Sequence, residues 1–365
     1  MAINYASKYA GIVDEKFKLG AMTGQAVNSD YDFIGAKTVS VYEVPTVALQ
    51  DYKRTGNDRY GTPAELENTK QELTLNMDRS FSFSIDRGNY EDTQMSNAAG
   101  QALNRQIEEV VIPEIDKYRL AKMFAGAGTI DTEEIGGYYE EILKASEAVS
   151  EANTPLTGRV LFVKTAFFNK LKLDSAFIKA SDAAQDMLMK GSIGMIDGMN
   201  VFVLPSAYMP MGCDFIVAHA KATTAPTKLA EYKIHKDPPG INGWLVEGRV
   251  YFDAFVLNAK KGSIYAKQSA IGSFKVTSAK GSASGKSRFT LQGIDEAVIR
   301  AGMKLVYKAT ETAPALGSDI SAWTEAPMPN GGSFEMEIAN GTKITFALAH
   351  EGKAHAASEV VTVIA

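Results

Sequence analysis

The sequence holds one cysteine, four histidines and no apolar run near the roughly 20 residues that a membrane-spanning helix needs. A lone cysteine cannot form an internal disulfide, which fits synthesis in a reducing cytoplasm. Cys213 stands just before the apolar run Phe215 to Val217 and reads as a buried structural thiol. His219, His235, His350 and His355 fall in no metal-ligand spacing, and the last two lie in a turn-rich stretch, so neither a metal nor a cofactor is expected. An apolar signal core is missing from the N-terminus, and no membrane partner is expected. A basic excess is missing too: the net charge of -5 argues against a general nucleic-acid binder.

Catalytic patterns are equally scarce. The stretch GSASGKS at 281–287 is one residue short of a phosphate-binding loop and leads into the strand-like RFTLQG, whereas such a loop must open a helix. It reads as a hairpin turn. Gly191, Gly194 and Gly198 miss the dinucleotide fingerprint spacing, and their strand follows rather than precedes them. Carboxylate pairs such as Glu108-Glu109 and Glu140-Glu141 sit on amphipathic helices, where a solvated face explains them. No catalytic residue stands out, and a structural or assembly protein is favoured over an enzyme.

What the chain does have is length and pattern. Its 365 residues suggest two domains. From Met95 to Gly128, Leu103, Ile107 and Val110 share one helical face, and Val111, Ile115 and Tyr118 continue it. About 30 residues would make a rod of roughly 45 Å, with an N-cap at Ser96-Asn97 and a kink expected at Pro113. Residues 1–34 read as an arm with aromatic residues and no core of its own. Residues 37–49 form a strand broken by Pro45, and 70–88 alternate with Leu73, Leu75 and Met77, then Phe81, Phe83 and Ile85, on one face. Two such arms around a polar tip predict an extended hairpin.

Residues 132–152 predict a second helix with Tyr139, Ile142, Leu143 and Val149 as its apolar face. Strands are expected at 159–165, 200–204 and from 214, with a helix after the first, in the irregular rhythm of an α+β fold. From about residue 268 helical periodicity vanishes. Six or so strands (IGSFKVTS, SRFTLQG, KLVYKAT, SFEMEIA, KITFALA, EVVTVIA), with turns at Asn340-Gly341 and Glu351-Gly352, predict an immunoglobulin-like β-sandwich over 268–365 without the antibody-type disulfide.

The order of arm, hairpin ending in FSFSIDRGNYEDT, and long helix QALNRQIEEVVIPEIDKYRLAKMFAGAG resembles the front half of tailed-bacteriophage major capsid proteins of the HK97-like fold. RVLFVKTAFFNKLKLD, the turn GSIGMIDGMNV (Gly191, Gly194, Gly198) and VYFDAFVLNAKKGSIYA resemble the later half, so the likeness covers residues 1–267. The resemblance implies an N-terminal arm at 1–34, an extended loop at 35–90, a spine helix at 95–128 and a mainly axial domain at 159–236, with the sandwich on the exterior. It further implies assembly into hexamers and pentamers of an icosahedral shell around double-stranded DNA, without sequence-specific contacts, in a virion built in the host cytoplasm. As the chain starts at the arm, a separate scaffolding protein is expected, together with a portal. The stripe Leu103, Ile107, Val110, Ile115 and Tyr118, with Pro113, would then be an assembly feature. The alternatives are an encapsulin-like compartment shell, a cell-surface immunoglobulin-like binding protein and an enzyme with an unrecognised site.

Overall fold

A computed structural model describes residues 22–31, 33, 37–43, 46–57, 59–63, 65–88, 99–180, 194–294, 299, 301–329 and 331–365. The expectations for residues 1–21, Pro45, the cap at Ser96-Asn97 and Gly191 fall outside these residues.

The long helix runs as α1 (Ala99–Gln106), a π-helical turn (Ile107–Val111) and α2 (Ile112–Ala125). The π turn is marked by the Ile112 N–H, which donates to the Ile107 carbonyl five residues back. Pro113 has no N–H, and its ring would press on the carbonyl four residues earlier, at Glu109. The wider turn just before it absorbs that conflict. The irregularity expected at Pro113 therefore occupies the five residues Ile107–Val111, one turn N-terminal to it. Burial divides along the rod. Tyr118, Leu120, Met123 and Phe124 are buried, Val111 and Ile115 are half-buried, and Val110 is exposed, as the π turn buries nothing. The predicted stripe enters a core only in its C-terminal half.

Beneath that helix lies a three-stranded antiparallel sheet in the order β10-β11-β3, made of β3 (Met77–Asp86), β10 (Thr227–Lys236) and β11 (Gly243–Phe252). Val111, Ile115 and Tyr118 pack with Met77, Val250, Phe252 and Ala254. Gly248 stands in register between Tyr232 and Phe81, whose rings approach to 6.2 Å. A Cβ at Gly248 would lie 2.4 Å from the Phe81 ring, so glycine is what lets the two aromatics close over the middle strand.

The extended hairpin is β1 (Thr38–Glu43) against β2 (Thr69–Thr74), in antiparallel register from Thr38↔Thr74 to Glu43↔Thr69. The predicted second arm is thus divided: β2 closes the hairpin, and β3 departs into the three-stranded sheet. Leu73, Leu75 and Met77 alternate inward without a break across the junction, which hides the division from a periodicity reading.

The centre of the molecule is a six-stranded mixed sheet in the order β4-β13-β8-β5-β7-β6. Its members are β4 (Thr129–Asp131), β5 (Arg159–Lys164), β6 (Met195–Ile196), β7 (Met199–Leu204), β8 (Phe215–His219) and β13 (Ile264–Lys267). Leu161, Val163, Phe215 and Val217 face α3 (Tyr138–Glu151), α4 (Thr165–Lys172) and α5 (Ser175–Ala180). The alternate residues Val160, Phe162, Ile216 and Ala218 share a cluster with Leu120, Met123 and Phe124 of α2. Coverage on both faces explains the unbroken apolar run of β5. α3 starts at Tyr138 rather than 132, because β4 and the Gly136-Gly137 pair come first, and Leu143 is exposed rather than part of the buried face. A short pair, β9 (Thr223–Thr224) with β12 (Phe255–Val256), lies between the two sheets in the chain, and Cys213 is fully buried as expected.

Among the described residues, the last hundred form strands and their connections, apart from a single helical position at Ile299. One layer holds β17 (Thr324–Glu325), β16 (Lys304–Lys308), β19 (Lys343–His350) and β20 (Lys353–Ser358), with β21 (Val361–Thr362) beside β19. The other holds β15 (Lys286–Gln292) and β18 (Ser333–Glu337). β14 (Gly272–Lys280) joins both, running parallel to β20 through Phe274 and antiparallel to β15 from Lys275. The layers meet through Phe289, Phe334 and Phe346, with ring separations of 5.3 to 5.8 Å. GSASGKS is the turn between β14 and β15, closed by Gly281 N–H to Lys286 O. The strands missing from the sequence reading are β17 and β20, and the expected strand at 359–365 shrinks to Val361–Thr362.

Candidate assembly surface

The hairpin exposes what a folded chain normally hides. Tyr42, Val47, Leu49, Tyr52, Tyr60 and Leu66 all project from it, with Leu49 and Tyr60 almost wholly in solvent. Tyr52 and Tyr60 meet edge to face at 5.2 Å across the loop. Single exposed apolar side chains are ordinary, but a run of them on one projection marks a surface awaiting a partner.

The base of the hairpin is fixed where the tip is free. Leu73 and Leu75 are buried with Phe33 and Leu257. Asp253, after β11, is almost fully buried and accepts the Tyr118 hydroxyl at 2.7 Å, the Ala254 N–H at 2.8 Å and the Asn76 N–H at 2.9 Å. Asn76 lies between β2 and β3, so this carboxylate ties the exit of the hairpin to the long helix. Lys122 is 3.9 Å from it. Burial holds the Lys122 ammonium below the ordinary lysine value, and Asp253 opposes that shift.

A second carboxylate does the same for the end of the arm. Asp116 on α2 is buried and accepts the Met22 N–H at 2.9 Å, the Thr23 N–H at 3.3 Å and the Thr23 hydroxyl at 2.5 Å. Neither carboxylate stands out in the sequence. The available signal was an acid inside an apolar run, as in VYFDAFV for Asp253.

The residues that were singled out fall in two places. Leu103 and Ile107 are half-buried, Val110 is exposed and Tyr118 is buried along one helix. Gly198 lies elsewhere, with Asp197, in the two-residue turn joining β6 to β7, where both have positive φ (74° and 48°). Asp197 accepts the Ser146 hydroxyl of α3, so the turn is held against α3 at an edge strand, and Gly194 is exposed beside it. Gly191 falls outside the described residues. Replacing Pro113 by alanine restores a donor and removes the ring. If the capsid resemblance holds, the π turn should revert to α-helix with little change in monomer stability but a changed particle size; normal-sized particles in electron micrographs would refute this.

The β-sandwich is bonded to the centre through Gln268. Its Nε2 donates to His355 O at 2.6 Å, and its Oε1 is 2.8 Å from His355 Nδ1, which must be the protonated ring nitrogen. His355 meets Phe124 of α2 edge to face at 5.6 Å. A cleft of about 250 Å³ opens beside it, lined by residues including Thr132, His350, Glu351 and Lys353. Burial first, then the neighbouring His350, depresses His355 to about 4. As the unfolded chain binds that proton near 6.5, stability contributed above pH 6.5 is lost as pH falls towards 4. The loss is on the order of 3 kcal/mol. Urea unfolding from pH 7 to 4 should show this slope, and His355→Gln should flatten it.

Among the described residues no group of three or more histidine, cysteine, aspartate or glutamate side chains could hold a metal ion. No described helix is long and apolar enough to cross a membrane. No protein-family profile and no curated protein matches the sequence. Solved structures do match. The capsid structure of cyanophage P-SCSP1u superposes with a TM-score of 0.59 at 11% identity, over 73% of this chain and 93% of that one. The fold is the HK97-like capsid fold. A structure from Mycobacterium phage Che8 gives 0.59 at 18% identity over 72% and 96% of the two chains, and the head structure of Helicobacter pylori bacteriophage KHP40 gives 0.57 at 10% over 72% and 95%. A capsid fold is α+β, as the sequence implied, and it accounts for the long helix, the projecting hairpin and the two sheets.

Proposed function

We propose that this protein is the major capsid protein of a tailed double-stranded DNA bacteriophage, building the hexamers and pentamers of an icosahedral shell. The carrying observation is the apolar hairpin tip on a subunit of capsid fold, tied at its base to the long helix by Asp253. A ring contact needs a patch on one subunit that fits a different patch on the next, and a projection with a fixed exit supplies such a patch.

In this reading the long helix and the three-stranded sheet form the peripheral part, and the six-stranded sheet with α3 to α5 forms the axial part. The axial part then draws on residues from 129 to 267, and β10 belongs to the periphery. The immunoglobulin-like sandwich lies on the exterior. Support for the appended role comes from coverage: about 72% of the chain superposes on nearly whole capsid chains, leaving a share the size of the last 98 residues (365 minus 267). The interior meets DNA through a mildly acidic chain that does not grip it, with a scaffolding protein and a portal as further partners.

Electron microscopy of the expressed protein tests the reading. Uniform shells are expected. A monomer that persists across salt and protein concentration would sink it, and shells filled with an enzyme instead of DNA in the native particle would favour an encapsulin-like role.

A further inference from the structure

The six-stranded sheet encloses a charged cluster set apart from the hairpin and its carboxylate anchors. β4 and β13 run parallel with Asp131 and Lys267 as register partners. The Lys267 side chain is wholly enclosed, and its Nζ lies 3.0 Å from Asp131 Oδ2 and 2.8 Å from Glu141 Oε2 on α3. Glu141 Oε2 is buried and accepts no well-angled hydrogen bond, so its contact with the ammonium is ionic only. Asp131 Oδ2 also accepts the Tyr265 hydroxyl at 2.6 Å and Lys144 Nζ at 3.0 Å, and Oδ1 accepts the Glu133 N–H at 2.9 Å.

Three chemical roles coincide here. A primary amine is fixed against a carboxyl group by two paired strands, which removes the entropy of bringing them together. Two donors besides the amine, Tyr265 and Lys144, point at the same carboxyl oxygen, where negative charge would grow if the carbon were attacked. An uncommitted carboxylate, Glu141, touches the amine and can carry its protons. We propose that Lys267 and Asp131 join in an intrachain isopeptide bond, formed by the folded subunit itself with Glu141 as proton carrier.

The reactants are an ammonium and a carboxylate. Burial works to raise Asp131, but hydrogen bonds from Tyr265, the Glu133 N–H, Lys267 and Lys144 outweigh it and hold the group below the ordinary carboxylate range. Burial and the bond to Asp131 keep the Tyr265 phenol protonated, so it stays a donor. Glu141 takes one proton from Lys267, freeing the nitrogen lone pair. The N–C bond forms at Asp131 Cγ, and the oxyanion at Oδ2 is held by Tyr265 and Lys144. Oδ1 then leaves as water, taking the proton stored on Glu141 and a second from the nitrogen. Ammonium plus carboxylate becomes amide plus water, with no oxidant or co-reactant. The gain is that a buried ion pair, penalised by lost hydration, becomes a neutral link.

The inference does not depend on the shell reading, because a folded monomer would form the bond as readily as a particle. Intact mass of the purified full-length chain should be lower than the sequence mass by one water, about 18 Da. Proteolysis should give a branched peptide joining the segments that contain Asp131 and Lys267. Glu141→Gln, which removes the proton carrier and keeps the shape, should return the full mass with the fold intact, and Lys267→Arg should do the same. A full-mass wild-type chain would overturn the proposal, whatever the variants do. So would a water loss that maps to Lys144 or to any other pair.

Discussion

Substituting aspartate for Leu49 is expected to leave the subunit folded and to prevent shell formation. Leu49 is fully exposed at the hairpin tip, and a substitution at such a site shifts subunit stability by no more than about 0.5 kcal/mol. Under the proposed function the same side chain would sit against a neighbour in the assembled shell. There a desolvated carboxylate should weaken each contact by about 2 kcal/mol or more, roughly 30-fold in affinity. The loss recurs at every subunit, so the concentration needed for assembly rises beyond ordinary working levels. Urea denaturation and light scattering on one preparation separate the two effects. An unchanged unfolding midpoint with no particles is the expected pair of results; particles at the wild-type concentration would remove the hairpin tip from the assembly surface.

Asp253→Ala should act on the subunit itself. It removes the carboxylate that accepts the Tyr118 hydroxyl and the Asn76 N–H, and leaves the partly buried Lys122 without its nearby carboxylate. Breaking a buried, hydrogen-bonded charge in this way destabilises by about 3–5 kcal/mol. Asp253→Asn should lose less, since it retains one acceptor, although its amide would face the Asn76 N–H. Denaturant midpoints of the two variants give the comparison. A loss below about 1 kcal/mol for alanine would mean that the hairpin exit is held by the apolar contacts of Leu73 and Leu75 alone.

Sequence periodicity revealed the parts that are amphipathic and concealed those that depend on distant partners. The β5 run RVLFVK announces itself by unbroken burial on both faces, and the alternation around Leu73 by a burial pattern that coincides with the strand period. The β20 segment KAHAAS does not, since its alanines have low strand preference and its burial comes from packing against the rest of the sandwich and α2. Asp131 stands one residue before the helix expected at 132–152 and carries no signal of its own, and only the pairing of β4 with β13 reveals it as a partner of Lys267. His355 reads as a turn residue and is in fact among the buried residues. Spacing places Val110 in the apolar stripe, yet its side chain is exposed, because spacing reports a shared face and not what covers it.

The sharing of β14 between the two layers has a practical consequence for anyone who would use the proposed shell as a display platform. One contiguous apolar cluster runs from Leu120 and Phe124 through Ile216 to Phe274, Phe346 and Ala356. Truncation near residue 268 would lay bare a core face rather than detach an ornament, and the stump would aggregate. Foreign peptides belong instead in the exposed turn at 282–285, between strands whose pairing they would leave untouched.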